Sequence, residues 1–367
     1  MQQILLKKYL VSKIVLMESD IRKIIEDGVL APSGENCQPW KFSLLGNVLS
    51  VFNVPEADYS LYNSHQKGSY LAHGALLENM SISSVVHGYV LDIALFPDKE
   101  NEIHVATITF SKGEVKHHPL YGSLIKRCTN RKEFTGVKLT EEEKEELKIS
   151  VTESDSCIIV DDDQKLQIIG KALAVHERVL FENKSMHDFF YDHITWDKKD
   201  ENKAGGFYIE TLEFLPHQVG AVKLFRSWII LSLLNTALGV SKMISKDNGE
   251  KYARSGTFAA LTMCGTTNKD FVLFGMQVER FWLTATKMGI AVHPCNGTLY
   301  LKVHTQNSTI DAFSKKHMAI IDEAHGDLLN AFNYKHRSIG FIFRMGKADE
   351  PTARSKRLPP VIEVVTN

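Results

Sequence analysis

Residues Ala31–Trp40, Ala-Pro-Ser-Gly-Glu-Asn-Cys-Gln-Pro-Trp, form a polar corner between a predicted helix and predicted strands. Before it, apolar residues recur at helical spacing behind a polar Ser19-Asp20 cap, which predicts a helix over residues 20–30. Pro32 ends that helix, and the residues after the corner alternate like strands near 41–54. Such a corner brings together short polar side chains and backbone amides that no helix or strand hydrogen-bonds. It can hold the polar rim of a flat ring, or it can be a tight turn with no ligand.

Composition sets broad limits on the protein. The chain has 367 residues, of which 44% are hydrophobic, and a formal net charge of −1. This is enough for a large core in one to three domains, and it gives no electrostatic argument for a nucleic acid or membrane partner. The five cysteines form no Cys-x-x-Cys, so we predict reduced thiols in a cytoplasmic protein, without disulfides or a metal site.

Two apolar stretches bear on membrane association. Lysines interrupt Ile4–Met17, so we predict a terminal arm or short helix and no signal peptide. The longest apolar run, Trp228–Val240, is too short to span a bilayer and is predicted to be a buried helix.

The remaining pattern predicts alternating helices and strands. Helices are expected over 69–89, 120–126, 140–148, 164–183, 226–240 and 278–288, and strands near 91–96, 103–110, 157–160, 258–264, 299–303 and 339–344. Recurring helix–strand pairs indicate two related halves, 18–115 and 119–350, followed by an extended arm over 351–367. An expansion at about 186–255 lies within the second half.

Common catalytic motifs are missing from the sequence. It contains no Gly-x-Gly-x-x-Gly, no P-loop, no zincin pair and no Gly-x-Ser-x-Gly. We interpret His176, His187, His193 and the His117-His118 pair as structural or surface histidines, because none has metal-ligand spacing.

Three further segments can bind an anionic or aromatic ligand. In the phosphate segment, Arg127–Arg131, two guanidiniums flank a hydroxyl, an arrangement that suits a phosphate dianion or a solvated basic helix end. In the turn segment, Pro294–Gly297, amides at Asn296 and Gly297 can reach a ligand, or the segment is an ordinary helix-to-strand turn. The third segment is the C-terminal arm, residues 351–367, whose basic side chains can bind an anion. Alternatively, the arm is a frayed basic terminus.

The corner resembles the signature of the nitroreductase family, the FMN-dependent oxidoreductases, in which it contacts the flavin. The phosphate segment is similar to the Arg-x-Ser-x-Arg that binds the FMN phosphate in that family, and the turn segment is similar to the stretch beside the isoalloxazine, where a backbone amide donates to N5. The arm resembles the family's closing basic pair. The residues that the resemblance assigns to FMN are Pro32, Ser33, Gly34, Asn36, Gln38, Arg127, Thr129, Asn130, Arg131, Pro294, Cys295, Asn296, Gly297, Arg354, Lys356 and Arg357.

The resemblance also implies a fold and a stoichiometry. The fold is α+β and nitroreductase-like, with two related halves that form an intramolecular pseudo-dimer around antiparallel sheets flanked by helices. Ordinary members are dimers with the flavin at the subunit interface. Here each flavin-binding segment occurs once, which implies one noncovalent FMN per chain and allows a monomer. Such duplicated forms are similar to the dormancy-associated Acg-like group, some of which bind FMN without clear reductase activity.

The implied reaction is a two-electron transfer from NAD(P)H through flavin N5 to an electron-poor small molecule, such as a nitro compound or a quinone. No side chain is expected to act as a catalytic acid or base. Two alternatives stay open: a protein that sequesters FMN or assists another enzyme, and a flavin-dependent dehydrogenase that acts on a bound natural product.

The aromatic segment 186–218 is expected to cover the flavin. Its rings flank a charged run, Asp197–Lys203, and Gly205-Gly206 can act as a hinge. Packing on a remote surface is the alternative. The aromatic residues are Phe189, Phe190, Tyr191, Trp196, Phe207 and Tyr208.

Overall fold

The computed structural model describes residues 18–151, 156–199, 206–307, 313–334 and 338–365, and these form a mixed α+β structure. The predicted terminal arm, Ile4–Met17, lies outside the described residues. The helices are α1 (described over 18–28), α2 (Lys67–Val86), α3 (Tyr121–Leu124), α4 (Glu141–Ile149), α5 (Asp163–Leu173), α6 (Val175–Glu182), α7 (Lys184–Asp192), α8 (Pro216–Phe225), α9 (Trp228–Leu238), α10 (Val240–Ala253), α11 (Asn268–Lys287), α12 (Gly297–Asn307) and α13 (Lys315–Ala331). The strands are β1 (Trp40–Leu45), β2 (Val48–Asn53), β3 (Tyr89–Leu95), β4 (His104–Lys112), β5 (Cys157–Val160), β6 (Ile194–Thr195), β7 (Phe207–Tyr208), β8 (Thr257–Met263), β9 (Ala291–Pro294), β10 (Ser338–Gly346) and β11 (Ile362–Val364).

The first sheet has the strand order β11-β1-β2-β4-β3. Its neighbours are antiparallel except for β11, which comes from the C-terminal arm and pairs parallel with β1. Gly46, at φ +60°, opens the two-residue turn between β1 and β2, a position where a side chain would be strained. Alternate residues of β1 are buried against α1 and α2.

The second sheet has the order β5-β8-β10-β9 and is antiparallel throughout. Every residue of β8 is buried, as expected for a strand covered on both faces. One face packs on α11, through Phe281 and Trp282, and the other on α5, α10 and α13. The described residues therefore form two larger sheets, each with its own helical cover, and a two-stranded parallel sheet of β6 and β7.

The helices α2 and α11, each 20 residues long, cross between the two sheets. A Cβ added at Gly74 would lie 2.0 Å from the carbonyl oxygen of Val272, and one added at Gly275 would lie 2.0 Å from that of Leu71. These two glycines therefore let the helix backbones approach directly. Across the same pair, Arg280 donates two hydrogen bonds to the buried Glu78 carboxylate, at 2.7 and 2.9 Å.

Some sequence predictions of helix ends are confirmed and others are wrong. The capping box predicted at Thr140 and Glu143 is present. The helix predicted over 164–183 is two helices, α5 and α6, which join at Ala174. Carbonyls near the break accept hydrogen bonds from side chains of His176, Ser245 and Thr298 instead of from the next turn.

Two further predictions need correction. The strand predicted over 299–303 lies inside α12, where Thr298, Leu301 and His304 are buried at helical spacing. Burial of that face outweighs the strand-like local sequence. The helix predicted over 278–288 begins at Asn268 instead, behind a capping box formed by Thr267.

The apolar run Trp228–Val240 was predicted to be a buried helix, and this is wrong. It contains α9, in which Leu231 is buried but Ile229 is 71% and Leu233 64% exposed. The helix lies on the expansion, whose small core includes Phe181, Tyr191 and Leu231.

No single described helix has the length and apolar character needed to cross a membrane. Taken together, α8 and α9 are long and apolar enough, but the two helices meet at a bend of 108°.

Candidate functional site

The corner between α1 and β1 is built from strained backbone. Glu35, Asn36 and Gln38 have positive φ angles of 42°, 59° and 52°, which non-glycine residues seldom adopt. The Ser33 hydroxyl accepts a hydrogen bond from the Gln38 amide at 2.9 Å and closes the turn. Strain of this kind persists where surrounding structure holds it, and it concentrates at ligand sites.

The C-terminal arm holds the corner in place. The Asn36 amide donates to the Lys356 carbonyl at 3.1 Å, and the Gln38 side chain accepts from the Leu358 amide at 2.9 Å. Arg357 in turn donates to the Asn36 side chain and to the Ala31 carbonyl. Asn36, Gln38 and Lys356 therefore join the corner to the arm, and they fix Arg357 between the two.

The two arginines of the phosphate segment have different surroundings. The Nε of Arg127 lies 3.0 Å from a carboxylate oxygen of Glu279, with both side chains buried, and its guanidinium stacks over Trp282. Desolvation raises the pKa of Glu279 to about 7, against the opposing effect of Arg127. Arg131 instead donates to the Thr211 carbonyl at 3.0 Å and lies over the ring of Phe207.

Arg131 makes no ion pair with any carboxylate among the described residues, nor does Arg357. Desolvation lowers the pKa of Arg131, and it lowers that of Arg357 to about 10, helped by the neighbouring Arg127. Both shifts mean that the surrounding protein disfavours the bare charge, which an anionic ligand would stabilise. Of the two arginines in the phosphate segment, Arg131 is therefore the better placed to receive a phosphate.

Asn130 ties the phosphate segment to its neighbours. Its backbone amide donates to the Val292 carbonyl in β9, and its side chain donates to the Asp349 carbonyl of the arm, both at 2.8 Å. In the arm, Arg354 donates to the carbonyls of Ile125 and Lys126. These contacts position the segment without pointing at a ligand.

The turn segment lies where β9 ends and α12 begins. The Cys295 amide donates to the Ile342 carbonyl, and the Asn296 side chain accepts from the Ile342 amide at 2.7 Å, so β10 fixes the turn. A Cβ at Gly297 would lie 2.4 Å from the ring of His176, so only glycine fits. The positive end of the α12 dipole is therefore at this turn.

One cavity of about 910 Å³ brings the four segments together. It is lined by Pro32, Ser33, Gly34, Asn36, Arg127, Thr129, Arg131, Pro294, Cys295, Asn296, Gly297, Arg354 and Arg357. Three predicted residues, Gln38, Asn130 and Lys356, are not part of the lining and act on its framework through the hydrogen bonds described above.

The expansion forms another wall of this cavity. Phe189, Phe190, Tyr191 and Phe207 line it, and the Gly206 amide donates to the Glu35 carbonyl at 2.9 Å, which joins the expansion to the corner. Trp196 and Tyr208 do not line the cavity. Residues 200–205, which include most of the charged run and the first glycine of the predicted hinge, lie outside the described residues.

Two carboxyls in the cavity wall were not singled out from the sequence. Desolvation and the nearby Asp58 raise the pKa of Glu35 to about 8, while Arg131 lowers it. Desolvation also raises the pKa of Asp58. Glu35 therefore carries a proton through much of the neutral range. For Glu35, the position within the Ala31–Trp40 motif was a signal that sequence analysis could have used. Asp58 lies in a polar loop whose sequence gives no such signal.

Trp282 and His293 are further lining residues that sequence reasoning missed. The Trp282 indole nitrogen is buried and has no hydrogen-bond partner among the described residues. Desolvation and nearby Arg131 and Arg344 hold the pKa of His293 well below its usual range, so this imidazole is neutral. His176, interpreted as structural, also lines the cavity, against Gly297.

Comparison with known proteins gives distant relatives. No family model matches the chain. An uncharacterised protein of Mycobacterium tuberculosis (strain CDC 1551 / Oshkosh) is 22% identical over 286 residues, which are 74% of this chain and 38% of that protein. A protein of the same strain named "Putative NAD(P)H nitroreductase acg" is 23% identical over 203 residues, 54% of this chain and 57% of the relative.

A third relative from that strain, named "Putative NAD(P)H nitroreductase MT3217", is 26% identical over 88 residues, 24% of this chain and 26% of its own length. The chain thus spans between about a quarter and somewhat over half of the length of these relatives. It is distantly similar to proteins named as nitroreductases, which agrees with the resemblance at the level of the broad family.

Proposed function

We propose that this chain is an FMN-binding oxidoreductase of the nitroreductase type. The observation that carries the proposal is the single cavity lined by all four sequence segments, which are up to about 320 residues apart in the chain. Its volume of about 910 Å³ falls within the range of cavities that bind cofactors. The names of the distant relatives support the same class of reaction.

The residues present fit a phosphate-bearing aromatic cofactor. Arg131 and Arg357 are desolvated cations without a carboxylate partner among the described residues, and Arg forks match a phosphate. The Trp282 ring lines the same cavity and adds aromatic surface. The amino end of α12 adds a favourable dipole for an anion at the turn segment.

In this proposal FMN, when bound, supplies two-electron transfer between NAD(P)H and an electron-poor small molecule. Arg131 and Arg357 would hold the phosphate, while Arg127 is in contact with Glu279. The corner and the turn segment orient the ring, and the aromatic wall of the expansion excludes water. Glu35 holds a proton at its carboxyl at neutral pH.

The stoichiometry belongs to the same proposal. Each segment occurs once, and the crossing of α2 and α11 between two sheets supports an arrangement of two halves around one flavin. We therefore propose one FMN per chain in an intramolecular pseudo-dimer, with residues 18–115 and 119–350 as its halves. A second chain is then not needed to complete the site.

A second candidate function is FMN binding without turnover. The aromatic wall from the expansion favours it, because Phe189, Phe190 and Phe207 occupy a side of the cavity from which a substrate could otherwise approach. Such a protein would store FMN or present it to another enzyme.

Steady-state oxidation of NADH and NADPH by the FMN-loaded chain separates the two functions. With a nitroaromatic and a quinone as acceptors, the reductase proposal predicts acceptor-dependent turnover that exceeds the rate with free FMN. Bound FMN with no turnover above that background would leave the sequestering function. A chain that binds no FMN would contradict both.

A further inference from the structure

The outer side of α8 and α9 is an apolar surface exposed to solvent. Its large apolar side chains, here called the α8–α9 face, are Leu224, Ile229, Ile230, Leu233 and Leu238, exposed by 49%, 71%, 37%, 64% and 65%. Within α9, Ile229 and Leu233 are four residues apart and share one side of the helix. Leu231, on the other side, is fully buried.

The two helices that carry this face contain no acidic residue. Residues 214–246 contain no Asp or Glu, and their four charged side chains are all cations and all exposed: Lys223, Arg226, Lys242 and Lys246. The chain as a whole carries 43 basic and 44 acidic residues, so a run of 33 residues without an acid is a marked local departure from its composition. Acidic residues begin again at Asp247, and Lys246 pairs with Glu250 at 3.9 Å, so among the described residues Lys223 and Arg226, at the end of α8, are the unpaired cations on the helices of the face. An apolar surface with such cations beside it and no acid on its own two helices is complementary to a surface of anionic headgroups over hydrocarbon.

The two helices cannot span a bilayer in this structure because they meet at 108°. Instead they are fixed to the body of the protein from the inside. Gln218, Ala221, Val222 and Phe225 of α8 line the cavity at helical spacing, and Asn235 of α9 donates to the Phe181 carbonyl at 2.6 Å. The outer side of α8 and α9 is therefore an exposed apolar surface that is held in a fixed position on the protein.

We infer that the α8–α9 face docks onto the surface of an anionic lipid bilayer. The exposed apolar side chains enter the boundary between headgroups and acyl chains, and Lys223 and Arg226, at the end of α8, contact anionic headgroups. A symmetric second copy is a poorer match, because a twofold axis through the face would bring the cations of Lys223 and Arg226 close to their own copies. This inference does not depend on the proposed flavin chemistry.

Cosedimentation of the full chain with vesicles tests the inference. The probes are vesicles of phosphatidylcholine alone and vesicles of phosphatidylcholine with 40% phosphatidylglycerol. We expect binding to the anionic vesicles that is at least tenfold stronger than to the neutral ones and falls as salt is raised. The double variant Ile229→Glu/Leu233→Glu should lose at least tenfold in binding, because both side chains are mostly exposed and their replacement leaves the fold intact.

The matched control is Ile149→Glu, at a side chain that is 79% exposed on α4. It should bind as the unaltered chain does. A separate variant, Lys223→Glu/Arg226→Glu, should lose the preference for anionic vesicles.

Three results would overturn the inference. These are no binding of the unaltered chain to anionic vesicles, equal binding by the Ile229→Glu/Leu233→Glu variant, and a dimer in sedimentation velocity that this variant dissolves while vesicles bind neither protein. The last result would assign the face to a second copy of the chain. If the Ile229→Glu/Leu233→Glu variant matches the unaltered chain in both vesicle binding and oligomeric state, another segment of the protein covers the face. Circular dichroism of each variant confirms that a loss of binding is not a loss of fold.

Discussion

Arg131 and Arg357 line the same cavity although they lie far apart in the sequence, one after α3 and the other in the arm. Neither forms an ion pair with a carboxylate among the described residues, although Glu35 acts on Arg131 and Glu279 on Arg357 at longer range, whereas Arg127 pairs directly with Glu279. At the scale of single residues, the proposed position of a phosphate therefore follows from which arginine lacks an ion-pair partner. From the spacing Arg-x-Thr-x-Arg alone, Arg127 and Arg131 are equally good candidates for binding a phosphate.

Replacing either Arg131 or Arg357 with alanine should release FMN. Removing one member of a desolvated ion pair costs roughly 3–5 kcal/mol, which corresponds to a loss of affinity of about 100-fold or more. Fluorescence titration with FMN measures this loss. The control Arg22→Ala removes a surface arginine from an exposed pair with Glu18 and should leave affinity unchanged. If both cavity variants keep their flavin through dialysis, the phosphate assignment is wrong.

Glu35 should make stability depend on pH. Because its pKa is raised to about 8 in the folded chain from an ordinary value near 4.5, the folded state binds the proton more tightly than the unfolded state. The stabilising contribution of the protonated carboxyl is complete below pH 4.5 and is lost as the pH rises through 8. Each pH unit in that window can remove up to about 1.4 kcal/mol.

Thermal unfolding of Glu35→Gln against the unaltered chain, from pH 5 to 9, measures this effect. The variant should have the flatter profile, so that its Tm gains on that of the unaltered chain as the pH rises. Parallel profiles would contradict a raised pKa for Glu35.

At the scale of elements, the direct contact between α2 and α11 depends on glycine. A methyl group at Gly275 meets backbone at 2.0 Å, and backbone cannot rotate away as a side chain can. We expect Gly275→Ala to destabilise the fold by about 3 kcal/mol, at the upper end for overpacking, or more. Gly326→Ala, in the middle of α13 with open space around it, is the control and should be neutral or stabilising by up to about 1 kcal/mol. Denaturant unfolding that shows equal effects of the two changes would contradict the close crossing.

The aromatic wall should restrict access to the cavity. Phe189 lines the cavity and stacks on His193 at 3.9 Å between ring centroids, so Phe189→Ala opens that side. With FMN bound, reduction by dithionite in a stopped-flow experiment should become several-fold faster. The control is Trp196→Ala, in the same expansion but outside the cavity wall, and it should leave the reduction rate unchanged. If Phe189→Ala also leaves the rate unchanged, the aromatic wall has only a structural role.

Deletion of residues 198–205 tests the predicted covering role of segment 186–218 more broadly. It should also speed reduction by small dyes if that segment limits access. An unchanged rate with FMN still bound would assign the segment a structural role.

How well an element could be predicted depended on what stabilises it. The helix–turn–strand corner and the Thr140 cap are specified by neighbouring residues, and the sequence predicted both. The burial of α9 was wrongly predicted, because an apolar helix is buried only when other elements cover it. Residues 299–303 became helix for a similar reason, since the packing of α12 decided their conformation.

At the scale of the whole molecule, the site is a product of long-range assembly. The sequence supplied the four segments, but not the hydrogen bonds by which the arm fixes the corner or the pair formed by Arg127 and Glu279. Glu35 and Asp58 are neighbours only once β1 and β2 have folded between them. Interactions of this kind have no local pattern, so the acidic part of the cavity was missed, while the ligand class inferred from the sequence stays a prediction.

The central claim is that one chain forms one complete FMN site. The most direct measurement is the amount of flavin released by denaturation of the FMN-saturated, dialysed chain, determined by absorbance and chromatography against protein concentration. We expect one FMN per chain, including in a preparation that sedimentation shows to be monomeric. Two FMN per chain, one per two chains, or none would contradict it.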